Sequence, residues 1–376
     1  MIQVTLYQLI RNRTYQMKPE MNAEEKLKAF SSLGKYLSWI GLISVGVMCC
    51  LVLSLTGFHF PKTLYTNTND QLSSKNQLKP ATGHIAGPRY WMAPDTIKIR
   101  DKPDADLIRY GRNLIVNTAS YLGPQGTVGK LANGMNCQNC HLDAGTRPFA
   151  NNFSVFYVSY PKWSARKGRK EKAFERIDEC FERSMNGIAP KRNSKEMQAM
   201  LAYLKWVGEK VNSETPLADH SVKKVPYLDI PADPIKGKIV YTSKCMSCHG
   251  GEGKGMVAPG GKGYIYPPLW GPDSYNDGAG MFRLGNFAGF VKNNMPYGST
   301  YQDPILSDEE AWNVAAFVNS QPRHHLNPKK DYKDVSTKPI DYPFGPYADG
   351  FSEKQHKYGP FSEIAKQHPL KNKKIT

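Results

Sequence analysis

The pattern of apolar and polar positions changes in kind along the chain. From Tyr36 to Gly57, "YLSWIGLISVGVMCCLVLSLTG", no charged side chain interrupts the apolar run. As a helix rising about 1.5 Å per residue, this run would span the roughly 30 Å hydrocarbon core of a bilayer. Residues 59–94 are polar and turn-rich ("TNTNDQLSSKNQLKP"), which predicts a tether with no core of its own. Beyond them apolar positions recur at helical spacing. They do so in "DADLIRYGRNLIVNTASYLG" (104–123), "KAFERIDECFERSMNG" (172–187), "NSKEMQAMLAYLKWVGEKV" (193–211), "DPIKGKIVYTSKCMSCH" (233–249) and "SDEEAWNVAAFVNSQ" (307–321). Asn193 followed by Glu196, and Ser307 followed by Glu310, predict capping boxes at the starts of two of these helices. No stretch alternates as a strand does, so the chain is expected to be all-α.

The helices repeat in order. In each half a helical lead-in reaches a Cys-x-x-Cys-His segment, and an amphipathic helix closes the block. One closing helix carries Met197, Leu201, Leu204 and Trp206, and the other Trp312, Ala315, Ala316 and Phe317. A length of 376 residues accommodates this duplicated pair with segments at both ends. Residues after 323 are basic and rich in Pro and Tyr, an extended wrap and not a third domain.

Lys and Arg number 50 against 33 Asp and Glu, a formal charge of +17. The basic residues are scattered and form no nucleic-acid motif, so a nucleic-acid partner is excluded and small anions or acidic proteins are favoured. Arg11, Arg13, Lys18, Lys26, Lys28 and Lys35 precede the apolar run, which predicts a cytoplasmic N-terminus and export of everything after residue 58. A cleaved signal peptide, giving a soluble periplasmic protein, is the alternative. "SLTGFHF" lacks the small-x-small pattern of a cleavage site, and an uncleaved anchor is preferred.

Cys137-Gln-Asn-Cys140-His141 and Cys245-Met-Ser-Cys248-His249 have the attachment spacing of c-type haem. Two thiols on one helical turn can each add to a haem vinyl group, and the next histidine then faces the iron. Disulfides or a four-thiolate zinc site would leave both histidines unexplained. The expected cofactors are therefore two covalently bound haem c groups, held through Cys137, Cys140, Cys245 and Cys248, with His141 and His249 as proximal ligands. For the second haem, "NNMPYG" places Met295 in a Met-Pro-x-Gly context similar to the distal loop of small class I cytochromes c. Met281 and Met256 are rivals. The first block has no such loop. Where its distal residue should fall lies "KAFERIDECFERSMNG".

Of seven cysteines, Cys49 and Cys50 sit in the apolar run and four belong to the haem motifs. Cys180 remains, as a free thiol, an intermolecular disulfide or a metal ligand. Helical spacing puts Arg176, Cys180 and Ser184 on one stripe, beside a core face of Phe174, Ile177, Phe181 and Met185. Arg166, in "PKWSARKG", could fold back as a second guanidinium. Two arginines would favour the thiolate and offer forked donors to an oxyanion.

The haem motifs, "YPKWSARKG", "RIDECFERSMNG" and the tail "DYPFGPYADGFSEKQHKYGPF" resemble the dihaem thiosulfate dehydrogenases, or tetrathionate synthases, over residues 90–365. The resemblance implies that Cys180 is the distal ligand of the first haem iron and takes part in turnover. It also implies that Arg166, Arg176 and Ser184 line the substrate pocket. The expected reaction joins two thiosulfates into tetrathionate and sends two electrons to a redox partner such as a small cytochrome c. Some members place a lysine directly before the haem-ligating methionine. Here Asn294 stands there and Lys292 is the nearest substitute, which resembles members with constant His/Met ligation, some of which also reduce tetrathionate. Reaction direction stays open.

The expected architecture is thus two class I cytochrome c-like domains in tandem, with an N-terminal transmembrane helix and an extended C-terminal tail. Its parts are a cytoplasmic segment (1–35), the anchor (36–58), the tether (59–94), domain 1 with the catalytic haem (95–215), domain 2 with the electron-transfer haem (216–323) and the tail (324–376). The setting is the periplasmic side of a bacterial cytoplasmic membrane. A non-catalytic dihaem shuttle, and a Cys-ligated subunit of a larger sulfur-oxidising complex, are the competing readings.

Overall fold

The computed structural model describes residues 90–212 and 217–367. The expected anchor at 36–58, the segment before it and nearly all of the tether lie outside the described residues. Among the described residues no helix is long and apolar enough to cross a membrane.

Two helix pairs organise the molecule. In the first, α1 (Ala105–Val116) is followed by the short α2 (Thr118–Leu122), then α3 (Ala173–Glu179) and α4 (Lys195–Val207). In the second, α5 (Pro234–Lys244), α6 (Leu284–Asn294) and α7 (Asp308–Ser320) follow, and the C-terminal segment adds α8 (Glu353–Tyr358) and α9 (Phe361–Gln367). Helix α1 packs on α4 as α5 packs on α7. The two crossings share one device. A Cβ at Gly111 would lie 1.9 Å from the Ala199 carbonyl oxygen, and one at Gly237 1.9 Å from that of Asn313, so each pair meets backbone to backbone.

Each pair has its own apolar cluster. Ile108, Leu114, Phe181, Met185, Met197, Tyr203 and Leu204 fill the first. Tyr241, Phe287, Trp312, Ala315 and Ala316 fill the second, together with Phe361 and Ile364 from α9. The halves also interlock. Ala150, which follows the first Cys-x-x-Cys-His motif, is buried in the second cluster, and Cys140 and Leu142 pack against it. The side-chain amide of Asn294 donates to the Phe149 carbonyl at 3.2 Å, and that of Asn276 to the Glu182 carbonyl at 2.8 Å.

Three local expectations are corrected. The lead-in over 104–123 is broken at Asn117, whose φ of −124° and ψ of 39° are not helical. The α4 cap is Ser194 and not Asn193: its extended backbone lets the hydroxyl accept from the Met197 N–H at 3.3 Å. Glu196, expected to complete the capping box, instead accepts from the Tyr110 hydroxyl at 3.0 Å. The Ser307–Glu310 box is present as read from the sequence. Finally, the chain is mostly helical but carries two small antiparallel hairpins, β1 (Lys162–Ser164) with β2 (Arg169–Glu171) and β3 (Met256–Val257) with β4 (Tyr264–Tyr266). Strands of two or three residues are too short to show alternation.

Candidate functional site

The break at Asn117 turns Thr118 toward the first motif. The Thr118 hydroxyl donates to the Leu114 carbonyl at 2.7 Å and accepts from the Cys137 N–H at 3.0 Å. His141 Nδ1 lies 2.6 Å from the Asn151 carbonyl oxygen. A carbonyl only accepts, so Nδ1 carries the proton and Nε2 keeps its lone pair. Burial, with a smaller push from the Arg176 charge, lowers the His141 pKa to about 4. Burial also pushes the thiols of Cys137 and Cys140 up to about 11 and about 12, and Cys180 adds to both.

Cys180 comes from a separate element. Helix α3 widens at its end into a π turn over Cys180–Ser184, in which the Met185 N–H donates to the Cys180 carbonyl at 3.0 Å. Such turns are uncommon and recur at functional sites. Phe181 and Met185 are buried beneath it, while Cys180 and Ser184 are half-buried. Cys180 is also the largest influence on Arg176, raising its affinity for the proton above the ordinary guanidinium value.

The β1–β2 hairpin folds Arg166 onto α3. Arg176 Nη1 donates to Glu179 Oε2 at 2.9 Å, and Arg166 Nη1 stands 3.7 Å from the same oxygen. Lys167 Nζ lies 3.4 Å from the other Glu179 oxygen and 3.0 Å from Glu171. The structure thus gathers Arg166, Arg176 and Lys167 around one buried carboxylate, with Cys180 next in the chain and acting on Arg176, and Ser184 shares the π turn with Cys180. Sequence reasoning missed Glu179, Lys167 and Asp331. Glu179 was within reach, being the helical i,i+3 partner of Arg176. Asp331, whose Oδ2 is 3.7 Å from Arg166 Nε, gave no local signal.

The second motif borders a cavity of about 700 Å³ lined by Cys245, Cys248, His249, Phe287, Met281 and Met295. Cys140 and Leu142 of the first half form part of its wall. His249 Nδ1 is 2.8 Å from the Pro267 carbonyl oxygen, which again leaves Nε2 as the lone-pair atom. Of the three methionines considered, Met256 lies outside this lining and is 44 % exposed. Met281 belongs to the buried cluster, and Met295 caps α6 at its border. The Lys292 ammonium is paired with the Asp308 carboxylate.

Each half therefore offers two thiols, a neutral imidazole with its tautomer fixed by a backbone carbonyl, and a sulfur residue approaching from a distal element. Paired thiols and a lone-pair nitrogen suit a covalently attached haem, and in the second half they border an apolar cavity.

Known proteins agree with this division. Residues 235–322 match the cytochrome c family, and residues 129–212 the cytochrome c domain of the SoxA/TsdA family. A thiosulfate dehydrogenase of Stutzerimonas stutzeri is 35 % identical over 253 residues, covering 67 % of this chain and 79 % of the relative. The chain belongs to the thiosulfate dehydrogenase family. The family member from Allochromatium vinosum is 40 % identical over 197 residues, or 51 % of this chain and 71 % of its own length. Among solved structures, thiosulfate dehydrogenase (TsdBA) from Marichromatium purpuratum in its as-isolated form superimposes with a TM-score of 0.58 at 29 % identity. That match covers 63 % of this chain and 50 % of the solved one, so the chain spans half the length of that neighbour. As a member of the thiosulfate dehydrogenase family the protein is an oxidoreductase with two cytochrome c domains and two covalently bound c-type haems.

Proposed function

We propose that this protein oxidises two thiosulfates to tetrathionate and releases two electrons to an external acceptor such as a small cytochrome c, with the reverse reaction open to it. The observation that carries this reading is the convergence of Arg166 and Arg176 on Glu179 beside Cys180. A plain electron shuttle has no use for two guanidiniums and a lone thiol at one haem motif.

In the proposed site Cys137, Cys140 and His141 would hold the first haem, and Cys180 would serve as a further ligand to it. Cys245, Cys248 and His249 would hold the second, and Met295 would serve as a further ligand to it. When bound, the haems supply the sink for the electrons. The chain's own residues do the rest. Two dianions near 4 Å repel by on the order of 4 kcal/mol even in bulk water, four times the unit-charge value. Arg166 and Arg176 offset that repulsion, and Ser184 donates a hydrogen bond to a sulfonate oxygen. The Cys180 thiolate bonds the sulfane sulfur of the first thiosulfate with loss of two electrons, giving Cys180–S–SO3⁻ on an outer sulfur. The second thiosulfate attacks that outer sulfur, forms tetrathionate and restores the thiolate. Atoms and charge balance over the cycle, and no proton is consumed.

The site lies, in this reading, on the periplasmic side of the cytoplasmic membrane, held there by the apolar run at 36–58. The mass of the mature protein in the membrane fraction distinguishes this from a cleaved, soluble form.

Steady-state assays of thiosulfate with ferricyanide, and of tetrathionate with a reduced viologen, test the proposal. Turnover in either direction is expected, and its absence in both would leave the electron-shuttle reading in place.

A further inference from the structure

Arg183 and Arg166 both meet Asp331, but differently. Arg183 binds it bidentately: its Nη1 and Nη2 donate to the two Asp331 carboxylate oxygens at 2.9 and 2.8 Å, and Nη1 also reaches the Gly278 carbonyl at 3.1 Å, while its buried Nε has no partner. Arg166 is held without being consumed. Its Nε stands 3.7 Å from Asp331 Oδ2 and its Nη1 3.7 Å from Glu179 Oε2, inside ion-pair range but beyond hydrogen-bond length. Its donors thus remain available to an anion while two carboxylates fix the direction of the guanidinium.

The same C-terminal segment grips Arg166 by its backbone. The Tyr332 N–H donates to the Arg166 carbonyl at 2.8 Å, and the Arg166 guanidinium lies over the Tyr332 ring, 5.8 Å from its centroid. Tyr332 has a φ of +54°, a left-handed conformation that costs a bulky residue energy and that surrounding structure must enforce. Tyr342 contributes to the hold by donating its hydroxyl to Asp331 Oδ2 at 3.1 Å. The Asp331 side chain is 8 % exposed and that of Arg166 14 %.

We propose that Asp331 is a positioning residue of the thiosulfate site: anchored by Arg183, it aims Arg166 at the substrate, so that a segment following the second haem domain completes the site on the first. This rests on the proposed thiosulfate reading. It assigns the C-terminal segment a part in substrate recognition that its place in the sequence does not suggest.

The test uses the dihaem protein and measures both turnover and equilibrium dialysis of sulfur-35-labelled thiosulfate against reduced protein without acceptor. Asp331→Asn keeps the shape and loses the charge. It is expected to raise both KM and the dissociation constant roughly tenfold, the size of one charge-assisted hydrogen bond, with a smaller change in kcat. In an Arg166→Ala background the same substitution is expected to add less than about twofold, because a residue acting through Arg166 has nothing left to position. Unchanged binding in Asp331→Asn, or fully additive effects in the double variant, would overturn the proposal. If Asp331→Asn does not yield folded dihaem protein, Tyr342→Phe removes only one contact on Oδ2. A rise of about two- to threefold is then expected, smaller than for Asp331→Asn because the carboxylate keeps its charge and its hold on Arg183, and no rise counts against the proposal. Wild-type protein that neither binds nor turns over thiosulfate would overturn the parent reading and this one together, an outcome distinct from active wild type with an indifferent variant.

Discussion

Gly237 lies so close to Asn313 that a Cβ would stand 1.9 Å from the Asn313 carbonyl oxygen and 2.5 Å from its carbon. The obstacle is backbone, which cannot rotate away. Gly237→Ala is therefore expected to part α5 from α7 and to cost roughly 1–3 kcal/mol or more, as overpacked cores do. The matching Gly111→Ala is expected to do the same to α1 and α4. Urea unfolding of the two variants, followed by far-ultraviolet circular dichroism, measures the loss. Unchanged midpoints would show that the crossings have slack.

Cys180→Gly is expected to reduce turnover to background in both directions while both haems stay covalently attached, since none of Cys137, Cys140, Cys245 or Cys248 is touched. Pyridine haemochrome spectra count the haems, and the two assays above read turnover. Retained activity would remove Cys180 from the mechanism.

Met295 and Met281 border one cavity, yet their replacement should be told apart. Met295→Ala is expected to lower the reduction potential of the second haem, because a thioether ligand raises it. Met281, 9 % exposed within the second cluster, is expected on replacement by Ala to cost about 2–5 kcal/mol of stability with little change in potential. Lys292→Gln, which breaks the pair with Asp308, should leave the potential alone. Redox titration of the three variants decides between them.

Glu175 ties the start of α3. Its carboxylate accepts from Arg169 Nη2 and from the Lys172 N–H, both at 2.7 Å. The Arg169 bond first, and the backbone bond second, hold its pKa down to about 2 from an ordinary 4.5. A depressed carboxylate stabilises the fold fully above its unfolded pKa and loses that contribution as pH falls through the folded one. Glu175→Gln is thus expected to be less stable than wild type near neutral pH, with the gap closing as acid approaches the folded pKa. Urea midpoints across a pH series show this, and a gap independent of pH would mean that the charge is idle.

The duplicated helix pairs, the haem motifs and the interest of Cys180 were legible because each rests on local spacing: apolar residues three and four apart, or Cys-x-x-Cys-His. What stayed hidden has equally physical causes. Over the five residues Cys180–Ser184 a π turn has nearly the apolar spacing of an α-helix, so the widening beneath Cys180 left no trace. Asn193 and Ser194 are equally good caps by chemistry, and backbone direction decided between them. Asp331 lies 148 residues from Arg183 in the chain. Nothing in a one-dimensional pattern singles out that carboxylate until the C-terminal segment is laid against Arg183 and Arg166.

The burial of Ala150 in the second cluster bears on how this protein can be engineered. A loop that starts in one half and ends as core of the other makes the halves poor interchangeable modules. Grafting a foreign second haem domain to retune the electron exit would leave the Phe149–Asn152 loop without its socket, so a working chimera has to carry that loop's receiving surface across with the graft.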